Sequence, residues 1–265
     1  MHEVTEQTVD TIRWSVAQGI GRIVFDRSDG PHTLALASTA ALARAVDDVA
    51  TAHPRVVLLS GSGGLFSAGG NIAEMRAHVE TLESYLRALV DIAHSALMRL
   101  SQLPAPVVTA INGPVGGGGV GWALCGDFAL AAASMKLRTG YVALGLSPDM
   151  GASYFVTRRV GSMRARQLFM LSDAMDARQC LAMGLVDEVV PDAELAQRAE
   201  ALCAHLAAAP RGSLAKIKHL SEGAILRGLQ AQLALEQALL QECTRSQDAR
   251  EGLHAFFEKR APRFH

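Results

Sequence analysis

The stretch INGPVGGGGVGWALCGD, residues 111–127, decides the fold of this chain. The apolar residues 106–111 predict a buried strand, four consecutive glycines occupy 116–119, and the small residues after them predict a short helix over 120–124. Glycines between a strand and a helix let the backbone approach a ligand closely and leave N–H groups of the first helical turn without partners. No Lys-Ser or Lys-Thr follows as in a P-loop, and no acidic residue ends the next strand as in a dinucleotide site. We therefore expect backbone donors aimed at a group other than a nucleotide phosphate.

A second glycine-rich segment repeats this plan. Residues 56–60, VVLLS, predict another buried strand, which leads through GSGGLFSAGGN at 61–71 into a helical segment at 72–77. A single glycine run is more typical of close helix–strand packing. Two such units that face one site can aim two N–H groups at one point and form an oxyanion hole, in which each donor is worth about 3 kcal/mol in the transition state. The pair favours a site that stabilises charge on a carbonyl oxygen.

The two motifs together resemble the enoyl-CoA hydratase/isomerase (crotonase) superfamily. The resemblance rests on FSAGGNIAEM at 66–75 and PVVTAINGPVGGGGVGWALCGDFALAA at 106–132, and it extends from the hairpin region 12–25 to the closing EGLHAFFEKR at 251–260. It implies an α/β fold: a crotonase-like spiral of ββα units over residues 1–195 that holds the acyl-CoA site. A C-terminal helical region, residues 196–265, is then expected to make homotrimers, often stacked as hexamers.

Composition agrees with an enzyme of this kind. The chain has 265 residues, 49% of them hydrophobic, and a formal net charge of −1, so it can bury a large core and has no charge excess that would favour nucleic acid or a membrane. Its four cysteines are widely separated and form no CxxC pair. The first residues lack the apolar segment of a signal peptide, and no apolar run reaches membrane-spanning length. We expect a cytoplasmic enzyme of fatty acid metabolism.

The resemblance also implies the residues of the site. It makes the N–H groups of Gly70 and Gly118 the oxyanion donors, and it requires neither a metal nor a separate cofactor, because coenzyme A is part of the substrate. The loop after the hairpin usually carries a Lys or Arg for the coenzyme near its middle, where this chain has Asp29, so one cationic contact is missing. Further substrate contacts are expected from Ala68, Asn71, Ile72, Gly117, Tyr141, His94, Phe256 and Lys259. The last two match positions near the adenine that commonly reach over from a neighbouring subunit, although an ordinary amphipathic helix explains them equally well.

Which reaction takes place depends on the carboxylates. Hydratases of the family use two glutamates, and the matching positions here hold Gly121 and Tyr141, neither of which is a carboxylate base at neutral pH. The remaining carboxylate is Asp149 in GLSPDMGASY, at a position where the Δ3,Δ2-enoyl-CoA isomerases and ring-1,2-epoxyphenylacetyl-CoA isomerases carry an Asp or Glu. One carboxylate is enough to take a proton from C2 of an enoyl thioester and return it at C4. We expect an enoyl-CoA isomerase with Asp149 as its base, while the alternative role of Asp149 is the N-cap of a helix running to about residue 160.

Other functions stay open at this point. Asp149 could serve a hydratase or lyase with a different water geometry. In the 4-chlorobenzoyl-CoA dehalogenases of the superfamily an aspartate at this position is a nucleophile and a histidine at the position of His94 is a base. Those enzymes have tryptophan in place of Tyr141 and an aromatic residue in place of Gly70, so we expect His94 to line or cap the pocket. The missing glutamates would also suit an acyl-CoA-binding protein without catalysis.

Overall fold

The structure, a computed structural model, describes residues 2–27 and 31–264. The prediction of a missing cationic contact at Asp29 lies outside these described residues. The strands are β1 (Val4–Val9), β2 (Ile12–Ala17), β3 (Ile20–Phe25), β4 (Val56–Gly61), β5 (Val107–Ile111), β6 (Val115–Gly116), β7 (Phe128–Ala132), β8 (Lys136–Arg138), β9 (Met175–Asp176) and β10 (Glu188–Val190). The helices are α1 (Leu36–Thr51), α2 (Ile72–Ala77), α3 (Leu82–Ser101), α4 (Gly119–Leu124), α5 (Ala152–Leu171), α6 (Ala177–Met183), α7 (Leu195–Ala208), α8 (Arg211–Gly223), α9 (Leu229–Thr244) and α10 (Gln247–Glu258).

The larger sheet has an antiparallel start and a parallel remainder. In the described part of the chain its order is β1-β2-β3-β4-β5-β7-β10, and each pair from β3 onward is parallel. The predicted hairpin is confirmed: β2 and β3 pair from Ile12 opposite Phe25 to Ala17 opposite Ile20. Its turn residues, Gln18 and Gly19, have φ of 52° and 77°, as the tightest hairpin turns require. The smaller sheet, β6-β8-β9, stands beside the glycine loops.

The parallel strands are buried on both faces, as their nearly unbroken apolar sequences predict. One face carries the main core, which includes buried residues of α1, α3 and α4. The other face, with Ile20, Leu58 and Val108, packs against α7. An ion pair between Arg22 of β3 and Glu200 of α7, with both bonds 2.7 Å long, holds that helix to the sheet.

The helices α8, α9 and α10 present many apolar side chains to solvent in the single chain. Ile217 of α8 and Leu229 of α9 are 58% and 74% exposed, and Phe256 and Phe257 of α10 are 79% and 78% exposed. Patches of this kind mark interaction surfaces. They support the prediction that this region makes an oligomer, which stays a prediction, as does the division of the chain at residue 195.

The fold agrees with the expected α/β class with C-terminal helices, and the two glycine motifs lie between strand and helix as predicted. Within the described residues no helix has both the length and the apolar character that crossing a bilayer demands.

Candidate active site

The two glycine loops lie against each other. The loop after β4 forms one bridge to β6, Ser67 opposite Val115, in which the N–H of Gly116 donates to the carbonyl of Ser67 at 2.9 Å. Gly69 has a φ of 83°, and a Cβ built on it would lie only 2.5 Å from the carbonyl oxygen of Gly116. A side chain at 69 would therefore force the loops apart, which is the physical reason for glycine at this position.

The backbone donors of Gly70 and Gly118 have no partner within the part of the chain that the structure describes. In residues 2–27 and 31–264 neither the N–H of Gly70 nor that of Gly118 donates to a protein group, although the N–H groups of Gly69, Asn71 and Gly117 all do. Gly118 precedes the first residue of α4, where unpaired N–H groups are expected. Both glycines line one cavity of about 470 Å³. The arrangement can receive an oxygen that gains negative charge.

We call this space the Asp149 cavity. The predicted contact residues Ala68, Asn71, Ile72, Gly117 and Tyr141 line it together with Gly70, Gly118 and Asp149. Its apolar wall is formed by α2, by α3 and by the turn after Tyr141, through the side chains of Ile72, Met75, Tyr85, Leu86, Leu89, Val90, Leu144 and Leu146. The size and the mostly apolar wall with a few convergent polar groups are typical of small-molecule sites.

Asp149 is held by a hydrogen bond from Tyr141. The Tyr141 hydroxyl donates to Oδ1 of Asp149 at 2.8 Å, and this oxygen lies 3.2 Å from the point where a Cβ on Gly118 would stand. Tyr141 is buried in a one-turn helix, Tyr141–Leu144, flanked by Gly140 and Gly145 with left-handed backbones. The carboxylate is thereby held beside Gly118.

The surroundings shift the acidity of both groups. Burial raises the pKa of Asp149 above its ordinary value, and the hydrogen bond from Tyr141 and the charge of His94 offset part of that rise. Burial, followed by the charge of Asp149, raises the pKa of Tyr141, so its hydroxyl keeps its proton. A carboxylate whose pKa is raised toward neutrality is better suited to accept and return a proton near pH 7.

The place of the first family glutamate is filled by backbone. A Cβ built on Gly121 would collide with the carbonyl oxygen of Met150. Met150 and Gly151 adopt left-handed conformations, with φ of 47° and 68°, which turn the chain after Asp149 toward α4. A glutamate at 121 is therefore incompatible with this turn. The sequence indicated that the glutamate is missing but not that a carbonyl fills its place. The segment Pro-Asp-Met-Gly, which is typical of a turn, was the pattern that could have indicated it.

The expected N-cap role of Asp149 is wrong. The helix α5 begins at Ala152, its N-cap is Gly151, and no side chain caps it. The two left-handed residues separate Asp149 from the helix, so its carboxylate turns to Tyr141 instead. The end predicted near residue 160 is confirmed: α5 is interrupted at Gly161, with non-helical φ 79° and ψ 161°, and a second helical segment continues to Leu171.

Three predicted residues do not line the Asp149 cavity. These are His94, Phe256 and Lys259. Asn71 does line the cavity, and its Oδ1 also caps α2. His94 is exposed on α3 and lines a second cavity of about 630 Å³, which we call the His94 cavity, between the end of α3 and the first half of α5. The corresponding wall of the Asp149 cavity ends at Val90, one helical turn earlier.

Phe256 is exposed on α10 and Lys259 ends that helix, so their contact with substrate remains a proposal that requires a neighbouring subunit. Within the described ranges no three His, Cys, Asp or Glu side chains gather as metal ligands would.

Comparison with known proteins gives one consistent family. The profile described as enoyl-CoA hydratase/isomerase matches residues 15–265. A probable enoyl-CoA hydratase of Rhodobacter capsulatus is 34% identical over 258 residues, which cover 96% of this chain and 97% of that protein. The 1,2-epoxyphenylacetyl-CoA isomerase of Escherichia coli is 36% identical over 211 residues, covering 79% and 80%. The crystal structure of a putative enoyl-CoA hydratase/isomerase from Mycobacterium abscessus matches with a TM-score of 0.88 at 31% identity, over 96% of this chain and 99% of that one. With two meeting glycine loops, free N–H donors and these matches along nearly its whole length, the chain belongs to the enoyl-CoA hydratase/isomerase family.

Proposed function

We propose that this protein shifts the double bond of an enoyl-CoA thioester, with Asp149 as the proton carrier. The observation that carries the proposal is the single carboxylate of the site. Among the described residues that line the Asp149 cavity, Asp149 is the one acid, and its carboxylate lies beside Gly118. An isomerase needs one group that accepts a proton and later returns it, and this site offers one.

The reaction follows from these positions. The thioester oxygen of a 3-enoyl-CoA binds between the N–H groups of Gly70 and Gly118. Asp149 accepts a proton from C2, and the electron pair of the C–H bond moves into the thioester to give a dienolate whose oxygen the two N–H groups stabilise. The protonated Asp149 then gives its proton to C4, the carbonyl forms again, and the double bond lies between C2 and C3. Tyr141 keeps its own proton and orients the carboxylate throughout.

Hydration is the less favoured chemistry for this site. The usual route holds a water molecule between two glutamates, whereas here the Met150 carbonyl fills the first position and Tyr141 occupies the second. The similarity to the E. coli protein, which is described as a 1,2-epoxyphenylacetyl-CoA isomerase, supports the isomerase proposal. The similarity to a probable enoyl-CoA hydratase is the reason to test hydration in parallel.

The test is to incubate the purified protein with 3-enoyl-, 2-enoyl- and aryl-CoA esters and to follow mass and chromatographic retention together. The expected result is a product of unchanged mass and new retention from the 3-enoyl ester. Asp149→Asn should abolish turnover and retain binding of the ester. The matched control is Asp91→Asn, an exposed acid on α3 outside both cavities, which should keep the full rate. A gain of one water, binding without any reaction, or an undiminished rate in Asp149→Asn would overturn the proposal.

His94 gives a second candidate function. The charge of His94 acts on Asp149, so the two side chains are near each other, as a nucleophilic carboxylate and the base for the following hydrolysis must be. In that case Asp149 would add to the ring of a halogenated aryl-CoA, halide would leave, and water would cleave the aryl ester. Release of halide from a 4-halobenzoyl-CoA, lost in His94→Asn, would favour this reaction over isomerisation.

A further inference from the structure

One face of α3 lines both cavities in succession. Leu86 and Val90 belong to the wall of the Asp149 cavity. His94, Leu97 and Ser101 continue the same face and belong to the wall of the His94 cavity. Steps of three and four residues keep side chains on one side of a helix. The two cavities therefore follow each other along α3.

The two cavities approach each other at the turn after Asp149, and we call the residues between them the partition. Asp149 lines the first cavity, and Gly151, two residues later, lines the second. Against Gly151 pack the side chains of Phe155 and Leu97, which lie 2.8 Å and 3.0 Å from the point where a Cβ on Gly151 would stand. The charge of His94, on the far side, acts on Asp149. Because flexible side chains close the partition beside Gly151, rotation about their χ angles can open it there.

The wall of the His94 cavity next to this partition is apolar. Leu97, Met98 and Phe155 form it, and the ionisable residues of the cavity, which line the rest of it, are His94, Asp127, Arg158, Arg159 and Glu222. Arg159 is paired with Asp187, and Asp127 with Lys218. The guanidinium of Arg158 donates to the carbonyl of Glu222 at 2.9 Å and lies 5.2 Å from the ring centre of Tyr154. This surface suits a hydrocarbon better than an anionic group.

We infer that the His94 cavity is the distal part of the acyl site and takes the hydrocarbon tail of a long-chain acyl thioester. The inference rests on the proposed function, because the thioester and the reacting carbons must occupy the Asp149 cavity. That cavity has about 470 Å³ for these groups and for the end of the pantetheine arm, and the His94 cavity adds about 630 Å³ beyond Asp149. The substrate class is therefore long-chain acyl-CoA, and the tail passes between Leu97 and Phe155.

The test measures binding, so it does not depend on turnover. Titration calorimetry compares butyryl-, octanoyl-, dodecanoyl- and hexadecanoyl-CoA, each below its micelle-forming concentration. Since one buried methylene is worth roughly a factor of four in affinity, the affinity of the wild-type protein should rise well beyond octanoyl. Ser101→Trp fills the His94 cavity from the end of α3 and should weaken hexadecanoyl-CoA about tenfold or more, while butyryl-CoA stays within about twofold.

The matched control is Ser95→Trp, the same substitution on the same helix at an exposed position outside both cavities, and it should follow the wild type for every chain length. If Ser101→Trp does not fold, Gln102→Trp at the exposed end of α3 takes its place. An affinity of the wild-type protein that stops rising at octanoyl, or an equal loss for short and long esters in Ser101→Trp, would overturn the inference. Failure of the isomerase proposal would leave this chain-length dependence unchanged, and failure of the inference would leave isomerisation of short esters unchanged.

Discussion

Gly121→Ala is the substitution that most directly tests the geometry of the site. It adds one methyl group at the point that the carbonyl oxygen of Met150 occupies. Real Cβ atoms almost never come within 3.0 Å of such an atom, so the carbonyl must retreat by about 1 Å. Overpacking of this kind costs about 1–3 kcal/mol of unfolding free energy. Because Met150 directly follows Asp149, the carboxylate moves as well, and a displacement of about 1 Å can reduce a rate roughly 100-fold.

The assay combines kcat for the isomerisation of a short 3-enoyl-CoA with urea unfolding and with titration of butyryl-CoA. We expect a large loss of kcat, a moderate loss of stability and retained affinity, since the N–H groups of Gly70 and Gly118 stay in place. Gly212→Ala is the control, because within the described residues no atom lies within 4 Å of a Cβ at that position. If Gly121→Ala kept both the wild-type rate and the wild-type stability, the Met150 carbonyl could not fill the space beside residue 121, and the argument against the first glutamate would be lost.

Two further predictions concern titrating groups. Tyr141→Phe removes a hydrogen bond that lowers the pKa of Asp149, so the acidic limb of the pH profile of kcat/KM should move to higher pH. The control Tyr154→Phe, at an exposed ring, should leave this limb in place. An unmoved limb in Tyr141→Phe would contradict the role of this hydrogen bond. His32 is 2% exposed, and its ring stacks on that of Phe25 with 4.3 Å between the ring centres. Neither ring nitrogen has a hydrogen-bond partner among the described residues, and burial lowers the pKa of His32 to about 4. The unfolded chain then binds a proton that the folded one excludes, so stability should fall by up to about 3 kcal/mol between the ordinary His pKa and about pH 4. Urea unfolding across this range should show a smaller fall in His32→Phe, and an identical fall in both proteins would refute the role of His32.

The sequence predicted the parts of the fold that local patterns determine. The hairpin region 12–25 forms β2 and β3, and the apolar runs before the glycines form β4 and β5, as expected. The sequence predicted α8 only as part of the helical region 196–265, and its bounds, Arg211–Gly223, come from the structure. Its position depends on tertiary contacts such as the ion pair of Lys218 with Asp127 at 2.9 Å.

For the site, the sequence predicted which residues line the cavity better than it predicted the contacts between them. The resemblance indicated Gly70, Gly118 and Asp149, which do line one cavity, although their roles remain proposals. It could not indicate that Tyr141 donates to Asp149, because that bond depends on the one-turn helix Tyr141–Leu144 and its two left-handed glycines. It also could not separate His94 from the Asp149 cavity, because the partition lies between two successive turns of a single helix.

The turn at Met150 makes two features of the site depend on each other. The left-handed backbone at Met150 and Gly151 points the Met150 carbonyl into the space above Gly121 and leaves Asp149 outside α5, within reach of the Tyr141 hydroxyl. A glutamate at 121 would push this carbonyl away and with it the carboxylate beside Gly118. The first hydratase glutamate and Asp149 in its present position therefore exclude each other, and no single substitution at 121 can add a second carboxylate to this site. If Asp149 is the base, the choice between hydration and isomerisation in this chain depends on the path of the backbone at 149–151 as much as on the side chains that line the cavity.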